Sequence, residues 1–152
     1  MPESLSKLLS LTKNLTWLTI NFDDMTTFEP TIDVALDIQI ERLYHQTMDK
    51  RPTGGDSKSG RHLFGHLKSA GVEILVAGAS DWVVHAMNGK YVDDEKYFLR
   101  FILHFFEEAL AGHAELDAKV FSDWLAKRRT QIERGELVYL AHQMDFLVRK
   151  RR

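Results

Sequence analysis

The chain has 152 residues, 44% hydrophobic, 11% aromatic and 28% charged, which suits one globular domain and excludes disordered, collagenous and coiled-coil classes. Twenty Lys and Arg stand against 22 Asp and Glu, so a net charge of −2 argues against a dedicated nucleic-acid or membrane-surface binder. The absence of cysteine excludes a disulfide scaffold, thiol catalysis and cysteine metal sites, and no apolar run approaches the ~18 residues of a membrane span.

The N-terminus, MPESLSKLLSLTKN, has Glu3 ahead of any apolar run and no small-residue cleavage site. It reads as a short helix over 3–13, capped by Ser4 and leaving through Asn14, and not as a signal peptide. A cytoplasmic location is the resulting expectation. LTWLTINF (15–22) is rich in β-branched and aromatic residues on both faces, which predicts a buried strand ending at Asn21, Asp23 and Asp24. A helix over 32–49 follows Pro30, with Leu36, Ile40, Leu43, Tyr44, Thr47 and Met48 inward. RPTGGDSKSG (51–60) is a loop. A helix over 60–70 buries Leu63, Phe64 and Leu67 and stops at Gly71.

VEILVAGA (72–79) is the second strand, and DWVVHA (81–86) either continues it past a kink at Gly78 or forms its own. Asp93 or Asp94 caps a helix to Ala111, lined by Tyr97, Phe98, Phe101, Ile102, Phe105 and Phe106 and ended by Gly112. Another helix spans 117–134, with Val120, Phe121, Trp124, Leu125 and Ile132 inward and Gly135 as its cap. The last strand, 136–148, carries Val138, Leu140, Met144, Phe146 and Val148 on one face and Leu137, Tyr139 and Ala141 on the other, as a central strand does. The whole order is α/β. It forms a single domain over 1–148, followed by a solvated basic tail at 149–152.

Few motifs carry chemistry. GDSKSGR (55–61) approaches a phosphate loop, but Arg61 and His62 stand where Lys and Ser or Thr belong, and a helix precedes it. Arg61 remains a candidate anion contact at a helix N-terminus. His62 and His66 share a helix face at metal-ligand spacing, yet Leu63 replaces the glutamate of the metalloprotease pattern and no third ligand is evident, so no metal site is assigned. His104 and His142 read as core or boundary residues. The Phe101–Phe106 stripe reads as core that could also wall an apolar pocket. Asn21, Asp23, Thr27 and Glu29 fall at the carboxyl end of the first strand, where open α/β sheets bind ligands; the plain alternative is a solvated turn.

INFDDMTTFEP (20–30), IERLYHQTMDKR (40–51), GDSKSGRHLF (55–64), GASDWVV (78–84), YFLRFILHFFEEAL (97–110) and GELVYLAHQMDFL (135–147) together resemble the C-terminal half of a bacterial class I S-adenosylmethionine-dependent methyltransferase. The resemblance implies a partial Rossmann-like sheet of about three strands packed with five helices. Residues 15–22, 72–79 and 136–148 would match the family's fifth, sixth and seventh strands, the last antiparallel and central, and the helices over 93–134 would be an insertion. The family's Gly-rich turn and following ribose-binding acid have no counterpart among the nine glycines, and the first four strands are absent, so no cofactor-binding residue is assigned.

The C-terminal half of that family shapes the acceptor site. The resemblance therefore implies acceptor contacts at Asn21, Tyr44, Arg61, Asp81 and Trp82, with Asp23 and Glu29 as the acid–base candidates. It also implies a small-molecule acceptor, with no membrane or nucleic-acid partner. Without its N-terminal half the chain would be inactive. Its bare strand 15–22 would pair with an N-terminal partner chain or self-associate. A non-catalytic α/β binding or dimerisation module is the alternative, and a metal-dependent hydrolase built on His62 and His66 stands further back.

Overall fold

The structure is a computed structural model and describes residues 2–52 and 54–151; Thr53 of the 51–60 loop and Arg152 of the basic tail lie outside the described residues, as does Met1. The elements run α1 (Pro2–Leu11), β1 (Leu15–Glu29), α2 (Val34–Asp49), α3 (Ser59–Ser69), β2 (Val72–Ala79), β3 (Trp82–Val84), α4 (Glu95–Leu110), α5 (Ala118–Arg134) and β4 (Val138–Lys150). Local chemistry explains several boundaries. Asp33 caps α2 by accepting from Leu36 N, and Asp117 caps α5 by accepting from Val120 N, each at 2.9 Å. Gly135 closes α5 at φ 67°, a left-handed turn that glycine adopts without steric cost.

Other caps depart from expectation. Ser4 lies inside α1, and Asp94 sits at the α4 N-cap position without a side-chain cap bond. Glu95 accepts from Val92 N at 3.1 Å there instead.

The fold is α/β, with five helices and a four-stranded antiparallel sheet in the order β1-β4-β2, β3 also pairing with β4. The strand count is four, not about three, because residues 82–84 form a strand of their own. The C-terminal strand is central. β2 runs against it in a register that joins Val72 to Lys150 and Ala79 to Met144, with an irregularity between Ile74 and Val76. β4 therefore continues through Arg149 and Lys150: Arg149 bonds Glu73, and Lys150 Nζ donates to Thr12 O at 2.6 Å.

β1 runs to Glu29, well past the predicted end at residue 22. Two residues within its polar middle take positive φ, Ile20 at 61° and Asp24 at 58°, so the strand passes through two irregularities. A strand exposes alternate residues on alternate faces, and one irregular residue inverts that alternation. Burial follows: Thr16 is buried, then Asp23 after the first irregularity, then Thr26 and Phe28 after the second. β4 changes parity as well. Tyr139, Ala141 and Gln143 are buried in its first part and Phe146 and Val148 in its second, which corrects the single predicted face containing Val138, Leu140 and Met144.

The chain forms two compact units. Unit 1 comprises residues 1–25, 56–82 and 141–152. Its core joins Leu5 and Leu9 of α1, Leu63 and Leu67 of α3, Val72 of β2, and Phe146 and Val148 of β4. On its strands Trp17 is 72% exposed and Val76 60%. Together with Gly78, Ala79 and Leu147 they line a groove of about 330 Å³.

Unit 2 comprises residues 26–55 and 83–140. Its core centres on Phe28, whose ring lies 5.3 Å from Phe106, 5.8 Å from Trp124 and 5.6 Å from Tyr139. Leu99, Leu103, Phe106 and Leu110 are the buried residues of α4. Tyr97, Phe101 and Phe105, predicted to line the core, are exposed: spaced four apart, they fall on the opposite side of the helix. Val120 is likewise exposed on α5. Unit 2 also buries an ion pair that the sequence does not announce. Arg128 is 0% exposed and donates to Asp37 Oδ1 at 2.7 Å and to Pro30 O at 2.7 Å. Trp124 Nε1 donates to the same Asp37 oxygen at 2.5 Å.

Candidate functional site

Unit 1 holds five of the seven sequence-predicted site residues. Asn21 and Asp23 lie on β1, Arg61 in the first turn of α3, Asp81 just after β2 and Trp82 at the start of β3. Asp23 is buried. Its Oδ1 accepts from Arg61 N and from Arg61 Nε, both at 2.8 Å, and its carbonyl accepts from an Arg61 guanidinium N–H at 3.2 Å. Burial pushes the Asp23 carboxyl up. The side-chain and backbone hydrogen bonds from Arg61, aided by the charges of Arg61 and His142, outweigh burial and hold it below its ordinary value. Asp23 is therefore a fixed anion that seats a half-exposed guanidinium, and a poor proton acceptor. The predicted role of Arg61 as a helix N-terminal cation keeps its place, but one oxygen of Asp23 already occupies that helix end.

Asn21 donates through Nδ2 to Met144 O at 2.7 Å, tying β1 to β4. Ser59 Oγ donates to Phe22 O at 3.0 Å. These contacts press the start of α3 onto β1, and Gly60 makes the approach feasible. A Cβ at position 60 would lie 2.8 Å from Asn21 O and 2.9 Å from Asp23 Cβ. Gly60→Ala is thus expected to cost about 1–3 kcal/mol of stability and to loosen the Asp23–Arg61 pair. Urea unfolding checks this, and an unchanged midpoint would contradict it.

Asp81 leads to His142, which the sequence reads as a core or boundary histidine and which lies at the boundary. Asp81 Oδ1 lies 2.6 Å from His142 Nδ1. The two side chains are 38% and 25% exposed. A lone histidine within an apolar strand carries no signal of its own; only the antiparallel register of β2 and β4 sets it beside Asp81. Ser80, next in the chain, has a buried hydroxyl with no partner among the described residues. It is not held against His142 as a serine nucleophile would be. Trp82 is 48% exposed.

The remaining candidates fall in unit 2. Tyr44 is a core residue stacked on Phe106 at 3.8 Å, with burial pushing its phenol up. Glu29 accepts from Thr31 N at 2.7 Å in a local turn. In unit 1, His62 Nδ1 lies 2.7 Å from Asp56 Oδ2, so an aspartate engages the first of the two helix histidines. Among the described residues no group of three His, Asp or Glu side chains converges as a metal site would require, and no helix is long and apolar enough to cross a membrane.

No protein-family model matches the chain, and no curated protein matches it.

Proposed function

We propose that this chain is the acceptor-binding half of a class I S-adenosylmethionine-dependent methyltransferase that acts on a small molecule. One observation carries the reading: the C-terminal strand β4 lies between β1 and β2 and runs against β2, the arrangement the resemblance implies for the seventh strand between the fifth and sixth. Asp81, just past the carboxyl end of β2, adds support, because open α/β sheets bind ligands outside strand ends, whereas Asn21 and Asp23 lie in the middle of β1 and not at the strand end the sequence suggested.

The chain's own residues do not fit the cofactor. The turn from β1 to α2 is Pro30-Thr31-Ile32-Asp33, without glycine, so no close backbone approach to a nucleotide is built there. The cofactor belongs to an N-terminal partner chain or segment. Two features support that assignment. β1 ends the sheet, and the groove beside Trp17 and Val76 leaves apolar side chains in water. Natural proteins cover such edges, and each large apolar side chain so covered contributes about 1.5–3 kcal/mol.

The test is a methyl-transfer assay with labelled S-adenosylmethionine on small aromatic and hydroxylated acceptors. The chain is assayed alone and then co-expressed in frame with the coding sequence upstream of Met1. Methyl transfer only in the second preparation is the expected result. No transfer and no cofactor binding in either preparation would overturn the reading and leave a non-catalytic binding or dimerisation module.

A further inference from the structure

In unit 2, α4 buries Leu99, Leu103, Phe106 and Leu110, and its charges toward α5 are matched: Lys96 and Arg100 pair with Glu133, and Glu107 pairs with Arg129. The side turned away from those residues carries rings. Tyr97 is 67% exposed and Phe101 and Phe105 are 43% exposed, with His104 exposed between them. Ring centroids lie 6.0 Å apart from Tyr97 to Phe101, 4.6 Å from Phe101 to Phe105 and 6.1 Å from Phe101 to His104, so the stripe is continuous. A contiguous apolar surface of this kind marks a site of association. We propose that this stripe is the contact of a two-fold dimer in which α4 packs antiparallel on α4 of a second copy of the chain. The contact lies wholly on unit 2 and does not depend on the methyltransferase reading.

The spacing selects the partner. Tyr97, Phe101, His104 and Glu108 follow one another at steps of four, three and four residues, the seam by which one helix packs along another. A two-fold axis through the middle of that seam sets Tyr97 opposite Glu108 of the partner subunit and Phe101 opposite His104 of the partner subunit, each pair occurring twice. Both pairs are complementary. Glu108 is exposed in the last turn of α4, where the helix dipole disfavours an anion, and it makes no ion pair among the described residues. An antiparallel copy brings it a phenol O–H, which donates to the carboxylate, and the positive N-terminal end of a helix. Phe101 and His104 already meet as rings within one chain, and the dimer lays them together between chains. Like charges stay apart. Asp93 and Asp94 fall opposite Gly112 and Ala111 of the partner subunit, which carry none, and Glu95 accepts from Val92 N of its own chain. A lipid surface fits less well, because interfacial helices use free Lys and Arg, and Lys96 and Arg100 are engaged by Glu133.

One helix pair is a small interface, so a dissociation constant on the order of 10–100 μM is expected. Sedimentation equilibrium of the whole chain from about 5 to 500 μM should follow the mass from one chain to two. Phe101→Glu and Tyr97→Glu are each expected to weaken the dimer by about tenfold or more, the second by setting two carboxylates together. Tyr97→Lys should keep or tighten it, because an ammonium then faces Glu108 of the partner subunit, and Tyr97→Glu combined with Glu108→Lys should recover most of the loss. These positions are all exposed, and circular dichroism checks that each variant is folded. Trp17→Lys, on a strand of unit 1, should leave the constant unchanged. A wild-type chain that stays monomeric at about 500 μM overturns the dimer, whether or not it binds phosphatidylcholine vesicles. So does an association that survives Phe101→Glu or is lost in Trp17→Lys. Equal weakening by Tyr97→Lys and Tyr97→Glu overturns the antiparallel pairing, since a parallel pair would set residue 97 against itself.

Discussion

Asp37→Ala is expected to destabilise the chain by about 3–5 kcal/mol, because it strands a buried guanidinium without its counter-ion. That is a large share of the ~5–15 kcal/mol by which domains exceed their unfolded state. The cost arises because Asp37 does several things at once. One carboxylate oxygen accepts from both Arg128 and Trp124, and the other accepts from Ile32 N at 2.9 Å, fixing the entry to α2. Arg128 also stacks over the rings of Phe28 and Trp124, at 5.4 and 5.1 Å, so losing its partner disturbs the aromatic centre of unit 2. Denaturant unfolding followed by tryptophan fluorescence measures the effect. A shift below about 1 kcal/mol would show the pair to be dispensable. Asp37→Ala combined with Arg128→Met should recover part of the loss below about pH 7, where the neighbouring Glu41 is protonated and the double variant leaves no buried charge unpaired.

The second large effect depends on pH. Glu41 of α2 lies in the same cluster. Burial, with the charge of Asp37 and a smaller contribution from Glu29, pushes its carboxyl up to about 7, against the attraction of Arg128 and the hydrogen bond from Phe28 N–H. The folded chain therefore holds this proton more tightly than the unfolded chain, whose Glu41 titrates near the ordinary value of 4.5. Between those two values the unfolded state sheds the proton first, so this group's contribution to stability is full below about 4.5 and declines as pH rises to about 7. The loss is on the order of 2–3 kcal/mol. Glu41→Gln should remove that slope and raise the thermal midpoint at alkaline pH, while changing little under acidic conditions. Melting curves across the range test it, and a variant that keeps the wild-type slope would refute it.

Helix periodicity placed all five helices to within a few residues, because apolar spacing and a glycine stop such as Gly135 are local signals, while the capping aspartates Asp33 and Asp117 went unread. The buried ion pair was not legible. Arg128 lies in the run Lys127-Arg128-Arg129, which reads as a solvated face, and its partner is 91 positions away. The length of β1 was hidden for a different reason. Asp23 and Asp24 look like a strand end, and the strand runs on past them with an irregularity at Asp24, where φ is positive. Polar residues bordering apolar strands and a helix start singled out Asn21, Asp23, Arg61 and Asp81, and the structure gives several of them structural work: Asn21 ties β1 to β4 and Asp23 seats Arg61. The contact of Asp81 with His142 was not legible, since strand register is a tertiary property. Tyr44 misled for the opposite reason: an aromatic residue at helical spacing is core first, and its ring lies on Phe106.

The two inversions of β1 also govern which changes of length the chain tolerates. Ile20 and Asp24 act as phase shifters, and between them the strand presents Asp23 to Arg61 while its far end presents Phe28 to the aromatic centre. Deleting one residue between Ile20 and Asp24 would reverse the side chains on only one side of the cut, so one of the two cores would receive polar atoms where it needs apolar ones. Substitutions along 15–29 should therefore accumulate far more readily than insertions or deletions. Coding-sequence variants of this chain should keep the spacing from Trp17 to Phe28 constant even where the residues between them change.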